Sequence, residues 1–154
     1  MFEGAPGRIV RVYKDAGERR LAEDMAAAMT RIIPMSWEFD GVTFIPATAA
    51  ALRTRGFDHA QLLADQLSSN LGVQVVSLFN RPKTSDQRAL GGYERIQNLA
   101  GSFSLLPDSR VLCPPQKLLL VDDVFTTGAT LCAAADALLG AGVSEVYGLT
   151  FARV

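Results

Sequence analysis

Residues 118–130 read Leu-Leu-Leu-Val-Asp-Asp-Val-Phe-Thr-Thr-Gly-Ala-Thr. The first four residues form a continuous aliphatic run, which is typical of a buried central strand in a parallel sheet. Asp122 and Asp123 end this run, and buried carboxylates are costly unless they are paired. The sequence therefore predicts that both carboxylates lie at the carboxyl end of the strand and face the crevice in which open α/β sheets bind ligands.

A turn of small residues follows the two acids and leads into a predicted helix. It contains Thr126, Thr127, Gly128, Ala129 and Thr130. Exposed backbone N–H groups, three hydroxyls and the positive end of a helix dipole all favour a bound phosphate. The neighbouring acids can accept hydrogen bonds from two vicinal hydroxyls, so the segment predicts a site for ribose 5-phosphate. An ordinary strand, turn and helix would not require two acids followed by three threonines around a glycine.

Composition narrows the class of protein. The chain has 154 residues, a net charge of −1 and two cysteines. We expect one domain over residues 1–154 with one hydrophobic core. The net charge gives no general reason to expect binding to nucleic acid or to a membrane, and two distant cysteines suit neither a zinc site nor a disulfide framework. No apolar run is long enough for a membrane span, so we expect a soluble, cytoplasmic protein.

Hydrophobic spacing predicts alternating helices and strands. Residues 8–14 fit either a short strand or the start of a helix. An apolar stripe predicts a helix with one core face from Glu18 to Ile33. A capping box at Asp58 predicts a second helix, which ends at Gly72. Strands are predicted over residues 42–45, 73–79, 103–106 and 145–152, and a helix after the turn that ends at Gly140 or Gly142.

The hydrophobic run, the acidic pair and the threonine-rich turn resemble the loop that binds phosphoribosyl pyrophosphate (PRPP) in type I phosphoribosyltransferases. Within that group the chain most resembles the ComF-type family, whose members are linked to competence and DNA uptake. The shared features are Tyr13, Lys14, Gly17, residues 53–57, Ala60, Gln87, Leu90, Arg95, Asn98, Gly101, Phe103 and residues 152–153. Asp58 and Asp86 depart from the family, which has asparagine and often proline there. The four-cysteine zinc module that commonly begins ComF-type proteins does not precede Arg8, so the resemblance covers the catalytic portion alone.

The resemblance implies an α/β fold, the type I phosphoribosyltransferase fold, with a twisted, mainly parallel sheet flanked by helices and a long flexible hood loop over residues 80–102. It implies that Asp122 and Asp123 hold the ribose hydroxyls, with Mg²⁺ held indirectly through PRPP, and that residues 126–130 hold the 5-phosphate. It also implies a pyrophosphate loop at Ala47, Thr48 and Ala49, with a cis peptide bond between the first two. The basic candidates for contact with pyrophosphate are Arg53, Arg55, Arg81, Lys83, Arg88 and Arg95.

The reaction implied by the family is transfer of phosphoribose from PRPP to a nitrogen acceptor, with release of pyrophosphate. The sequence identifies neither the acceptor, a nucleobase or another nitrogen compound, nor a catalytic acid or base. Two alternatives stay open: a non-catalytic PRPP sensor or accessory protein of DNA uptake, and a binder of single-stranded DNA that uses the basic hood. The sequence also does not decide whether the chain forms a homodimer.

Overall fold

The structure is a computed structural model, and it describes residues 5–15, 17–81, 103–107 and 117–153. The elements in these ranges are α1 (Ala5–Asp15), α2 (Leu21–Ile32), β1 (Gly41–Phe44), α3 (Ala49–Arg55), α4 (His59–Leu71), β2 (Gln74–Val75), β3 (Lys117–Phe125), α5 (Ala129–Gly140) and β4 (Glu145–Arg153). The predicted α/β class is confirmed. Among the helices described, none has the length and apolar character needed to cross a membrane.

The four described strands form one parallel sheet in the order β2-β1-β3-β4. As predicted, β3 is central, and residues 118–121 on it are at most 1% exposed. Within the sheet, β2 lies next to β1 on one side and β3 lies next to β1 on the other, so the strand order reverses direction at β1. In open parallel sheets, ligands bind beyond the carboxyl ends of strands at such a switch point. The fold therefore predicts a ligand site at the carboxyl ends of β1 and β3.

Helices cover both faces of this sheet. Side chains of neighbouring strand residues point to opposite faces, and those of β3 accordingly belong to two separate cores. Leu119 and Val121 pack with α1, α2 and α4, whereas Leu118 and Leu120 pack with α5. This alternation also sends the side chains of two successive residues at the end of β3 in opposite directions.

Several predicted element boundaries are confirmed. Asp58 caps α4, because its Oδ1 accepts a hydrogen bond from the N–H of Gln61 at 3.3 Å. The helix ends at Gly72, whose φ of 69° is readily adopted by glycine. Residues 8–14, which fitted a strand or a helix, lie in α1. The last strand and the helix after the turn also lie where the sequence predicted them.

Other elements differ from the sequence predictions. The sequence did not predict α3, which is capped by the Thr48 hydroxyl and ends at Gly56 in a left-handed conformation. The strand predicted over residues 73–79 is reduced to β2, because Phe79 instead pairs with Leu105 in an isolated antiparallel bridge. The apolar stripe that predicted α2 includes Ile32, yet this residue is 64% exposed at the end of the helix. The hood predicted over residues 80–102 lies outside the described residues beyond Arg81.

Candidate functional site

The loop after β1 runs beside the carboxyl end of β3. Phe44 pairs with Val121, and the N–H of Ile45 then donates to the carbonyl oxygen of Val121 at 3.2 Å. The next residues on the two segments are the predicted pyrophosphate loop, residues 47–49, and the acidic pair, residues 122–123. The pyrophosphate loop and the acidic pair were linked in the sequence only by the family resemblance. In the structure they are neighbours at the switch point of the sheet.

Asp123 lies in a buried cluster with a lysine and the single histidine of the chain. It is 2% exposed, and its Oδ2 lies 2.6 Å from Lys14 Nζ and 3.4 Å from His59 Nε2. The three residues come from β3, α1 and α4. Sequence reasoning missed this cluster because its members are far apart in the chain. Lys14 stood out in the sequence only as a shared family feature, and a lone histidine such as His59 is usually structural or exposed.

The imidazole of His59 is neutral at pH 7. Burial lowers its pKa to about 4, and the positive charges of Lys14 and Arg55 add to this effect. Because Nε2 faces a carboxylate oxygen, the tautomer with its hydrogen on Nε2 suits this position. Nδ1 is also buried and has no hydrogen-bond partner among the residues described.

Asp122 has a different environment from Asp123. Its side chain is half-buried, and its Oδ1 accepts a hydrogen bond from the N–H of Asp123 at 2.8 Å. Burial raises the pKa of Asp122 to about 6, Lys14 partly opposes that rise, and Asp58 adds to it. Asp122 is therefore the more accessible acid of the pair.

The threonine-rich turn leads directly into α5. Gly128 has a φ of 78°, and a Cβ at this position would lie 2.8 Å from the ring of Phe125. The side chains of Thr126 and Thr127 are exposed, and Thr127 Oγ1 accepts a hydrogen bond from the N–H of Ala129 at 3.3 Å. Thus glycine permits both the bend and the close approach of the ring. The exposed threonine hydroxyls lie at the amino end of a 12-residue helix.

The predicted pyrophosphate loop is fixed by Asp58 and Arg81. The N–H of Ala47 donates to Asp58 Oδ2 at 2.9 Å, and Arg81 Nη1 donates to the same oxygen at 2.7 Å and to the Ala47 carbonyl at 3.2 Å. The expected cis bond between Ala47 and Thr48 is wrong, since peptide bonds throughout the described ranges are trans. Hydrogen bonds to both sides of Ala47 and the cap formed by Thr48 hold the loop with a trans bond.

Of the six basic candidates, three lie in the described part of the chain. Arg53 is exposed and Arg55 is half-buried, both in the last turn of α3, and Arg81 is bound to Asp58. Lys83, Arg88 and Arg95 lie outside the described residues. A cavity of about 300 Å³ adjoins this basic region, and its lining includes Phe44, Pro46, Gln61, Ser77, Phe79, Asn80, Arg81 and Leu106.

Comparison with known proteins identifies the family. Residues 41–153 match the profile described as the phosphoribosyl transferase domain. The chain belongs to the type I phosphoribosyltransferase family. This confirms the resemblance found in the sequence.

Two curated relatives of this phosphoribosyltransferase-family chain are competence proteins. Competence protein F of Haemophilus influenzae is 39% identical over 101 residues, which are 64% of this chain and 44% of that protein. Competence protein ComFC of Streptococcus pneumoniae is 26% identical over 141 residues, which are 92% of this chain and 60% of that protein. The chain thus spans roughly half the length of these relatives, between 44% and 60%.

A solved structure supports the type I fold. Adenine phosphoribosyltransferase from Saccharomyces cerevisiae, complexed with adenine and an imino-altritol bisphosphate, matches with a TM-score of 0.51. The match covers 93% of this chain and 72% of that one at 13% sequence identity. At this identity the likeness shows the shared fold alone.

Proposed function

We propose that this chain binds PRPP and transfers its phosphoribosyl group to a nitrogen acceptor in a Mg²⁺-dependent reaction that releases pyrophosphate. The observation that carries the proposal is the meeting of the acidic pair, the threonine-rich turn and the loop after β1 at the switch point of a type I phosphoribosyltransferase sheet. Open parallel sheets bind ligands at such a switch point, and this supports the proposal.

The carboxyl end of β3 and the turn after it supply groups that suit the sugar and its phosphate. The acidic pair Asp122 and Asp123 accepts hydrogen bonds from the ribose hydroxyls, each worth about 1.5–3 kcal/mol for a charged acceptor. Thr126, Thr127, Gly128, Ala129 and Thr130 take the 5-phosphate through backbone N–H groups, hydroxyls and the positive end of α5. The exposed hydroxyls of Thr126 and Thr127 support this role.

The loop after β1 and the basic side chains take the pyrophosphate. Ala47, Thr48 and Ala49 border the crevice, and Arg81 is already held against this loop through Asp58. The two hydrogen bonds that Arg81 donates to residues that the structure describes both use Nη1, and a guanidinium carries five N–H donors, a number that suits contact with an anion. Further positive charge is proposed to come from Arg53, Arg55, Lys83, Arg88 and Arg95.

The residues available fit Mg²⁺ when substrate oxygens complete its coordination. No group of three or more potential metal ligands of the histidine, cysteine, aspartate and glutamate types occurs within the part of the chain that the structure describes. Mg²⁺ is usually bound by one or two carboxylates together with substrate phosphates and water, not by a cage of protein side chains. Asp122 and Asp123 would hold the ion indirectly, through the PRPP hydroxyls that they bind. When bound, the ion would neutralise charge on the leaving pyrophosphate.

In the proposed reaction, the bond from ribose C1 to the pyrophosphate oxygen breaks and a bond from C1 to the acceptor nitrogen forms. The acceptor loses one proton and pyrophosphate carries away the electron pair of the broken bond. The protein contributes by positioning the reactants and by stabilising the charge that develops on the leaving group. No described side chain is assigned as the base.

Calorimetry with PRPP, followed by measurement of pyrophosphate release with a panel of nucleobases, tests this function. We expect PRPP binding that strengthens with Mg²⁺ and pyrophosphate release with at least one acceptor. Replacing both Asp122 and Asp123 with asparagine, or Gly128 with valine, should weaken PRPP binding. Binding that is absent in the original chain, or equal in all variants, would contradict the proposal.

The names of the curated relatives favour a second candidate, a PRPP-binding accessory protein of competence and DNA uptake without turnover. This candidate predicts PRPP binding with no pyrophosphate release for any acceptor. Direct binding of single-stranded DNA by the predicted hood would give a gel shift that weakens steeply as salt increases. Absence of a shift at low salt would exclude that form of the candidate.

A further inference from the structure

The start of α4 lies between the two halves of the proposed site. Asp58, the cap of this helix, accepts a hydrogen bond from the N–H of Ala47 in the predicted pyrophosphate loop at 2.9 Å. The next residue, His59, lies beside the acidic pair, with its Nε2 3.4 Å from Asp123 Oδ2. Two successive residues thus face the pyrophosphate loop and the acids at the end of β3, respectively.

The carboxylate of Asp58 is engaged at both of its oxygens. Oδ1 accepts from the N–H of Gln61 at 3.3 Å, whereas Oδ2 accepts from Ala47 and from Arg81 Nη1, the latter at 2.7 Å. The Asp58 side chain is 3% exposed, but that of Arg81 is 38% exposed. A buried acid therefore holds a guanidinium that is itself accessible to a ligand.

Asp58 can fix the position of Arg81 because the residues on both sides of it are anchored. The carbonyl oxygen of His59 accepts a hydrogen bond from the hydroxyl of Tyr13 at 2.7 Å. The ring of Phe57 packs edge to face against the Tyr13 ring, with the centroids 5.9 Å apart. Phe57, Asp58 and His59 are all buried. The carboxylate is thus located by the packing of the core and not by the loop that it contacts.

We propose that Asp58 is a positioning residue of the pyrophosphate subsite, which comprises residues 47–49 and Arg81, and that it acts by holding the loop and the guanidinium in one arrangement. This role rests on the proposed function, in which Asp122 and Asp123 both bind the ribose hydroxyls, and it adds a buried residue that supports the leaving-group half of the same site. Loss of the charge on Asp58 should therefore weaken binding of pyrophosphate and leave binding of the sugar phosphate unchanged.

Asparagine is the informative substitution, because it has nearly the same shape as aspartate. A carboxylate accepts hydrogen bonds at both oxygens, whereas an amide has one oxygen and an NH₂ group that only donates. If the amide oxygen caps α4, the NH₂ group faces two donors, the N–H of Ala47 and Nη1 of Arg81. Asp58→Asn should therefore keep the helix cap and release both partners of Oδ2.

Calorimetry with PRPP, pyrophosphate and ribose 5-phosphate, each in the presence of Mg²⁺, tests the proposal. We expect Asp58→Asn to bind PRPP and pyrophosphate about tenfold more weakly and ribose 5-phosphate within about twofold of the original. A loss of folded protein alone would reduce the binding of all three ligands together. Arg81→Met should also weaken pyrophosphate binding. Adding Asp58→Asn to it should weaken binding further by less than about threefold, because the two residues act as one unit.

A matched control is Asp65→Asn, the same substitution at an exposed position of α4, which should leave all three affinities within about twofold. If Asp58→Asn does not fold, Asp58→Ser takes its place, since a serine hydroxyl can also cap the helix. Unchanged pyrophosphate affinity, equal losses for pyrophosphate and ribose 5-phosphate, or losses that multiply in the double variant would overturn the proposal. If the original chain binds none of the three ligands, the proposed function fails, and the role of Asp58 fails with it.

Discussion

Arg81 Nη1 and the N–H of Ala47 both bind one oxygen of Asp58, at 2.7 Å and 2.9 Å. The other oxygen of Asp58 caps α4. One buried carboxylate therefore joins three segments: the loop after β1, the start of α4 and the chain beyond β2. Asparagine at this position could also cap a helix but would carry no charge for Arg81.

Replacing Asp58 with alanine should lower the free energy of unfolding by about 2–4 kcal/mol, because a helix cap and a buried hydrogen bond to Ala47 are lost together. Asp58→Asn retains an oxygen for the cap and should lose less. Urea unfolding measures both changes. Asp65→Ala, at an exposed position of the same helix, is the control and should change stability by about 0.5 kcal/mol or less. Equal losses at the two positions would contradict the role assigned to Asp58.

Gly128→Ala should destabilise the protein for two reasons that can be separated. The φ of 78° is strained for alanine, and the new Cβ would lie 2.8 Å from the Phe125 ring. We expect a loss of about 1–2 kcal/mol from the backbone and more from displacement of the ring. Thermal or urea unfolding measures the total.

Two other glycines provide matched controls for this substitution. Gly72 has a φ of 69°, but no atom lies within 4 Å of the position that a Cβ would occupy there. Gly140 lies in α5 with similar open space and no positive φ. Gly72→Ala should therefore show the backbone cost alone, and Gly140→Ala should be neutral or stabilising by up to about 1 kcal/mol. If Gly128→Ala lowers the free energy of unfolding no more than Gly72→Ala does, the contact of the new Cβ with Phe125 does not contribute to the loss of stability.

Tyr13→Phe should destabilise the protein by about 1–2 kcal/mol, because the buried carbonyl of His59 loses its hydroxyl donor while the ring packing is retained. Denaturant unfolding provides the measurement. Tyr147→Phe is the comparison, since that ring is stacked on Trp37 at 4.7 Å and only partly buried, so the hydrogen bond between its hydroxyl and Glu145 is open to replacement by water. A smaller loss at Tyr13 than at Tyr147 would show that the hydrogen bond to His59 contributes little.

Local signals in the sequence were sufficient for much of the fold. The aliphatic run of residues 118–121, the cap at Asp58 and the glycine at position 72 correctly predicted a central strand and both ends of α4. Each of these depends on residues within a few positions of one another. The short helix α3 was missed because its sequence lacks an apolar stripe, and its ends depend on a threonine cap and a left-handed Gly56.

The candidate site was only partly predictable for a similar reason. The acids and the threonine-rich turn are contiguous, so their chemistry was visible in the sequence. The Lys14–Asp123 contact spans more than a hundred residues, and the bond between Arg81 and Asp58 joins segments 23 positions apart. No periodicity connects such residues. Whether a charged side chain meets a ligand or a buried partner is decided by tertiary packing.

The dependence of stability on pH should contain two opposing contributions between about pH 4 and 6. Burial lowers the pKa of His59 from 6.5 to about 4, so its contribution to stability is lost as pH falls through this range. Burial raises the pKa of Asp122 from 3.8 to about 6, so the folded state takes up a proton first and its contribution rises as pH falls. Each effect corresponds to about 3 kcal/mol at most, since one pKa unit equals 1.36 kcal/mol.

Single substitutions should separate these two contributions. Relative to the original chain, His59→Gln should gain stability as pH falls from 6.5 to 4, because only the opposing effect of Asp122 remains. Asp122→Asn should lose stability over the same range and be more stable near pH 8, where the original chain must keep a partly buried carboxylate ionised. Urea unfolding at half-unit pH intervals measures both curves, and the common titration of other acids cancels in the differences. Parallel curves for all three proteins would mean that neither group has a strongly shifted pKa in the folded state. Opposite slopes for the two variants would instead show that His59 and Asp122 make opposing contributions, which cancel in the nearly flat profile of the original chain.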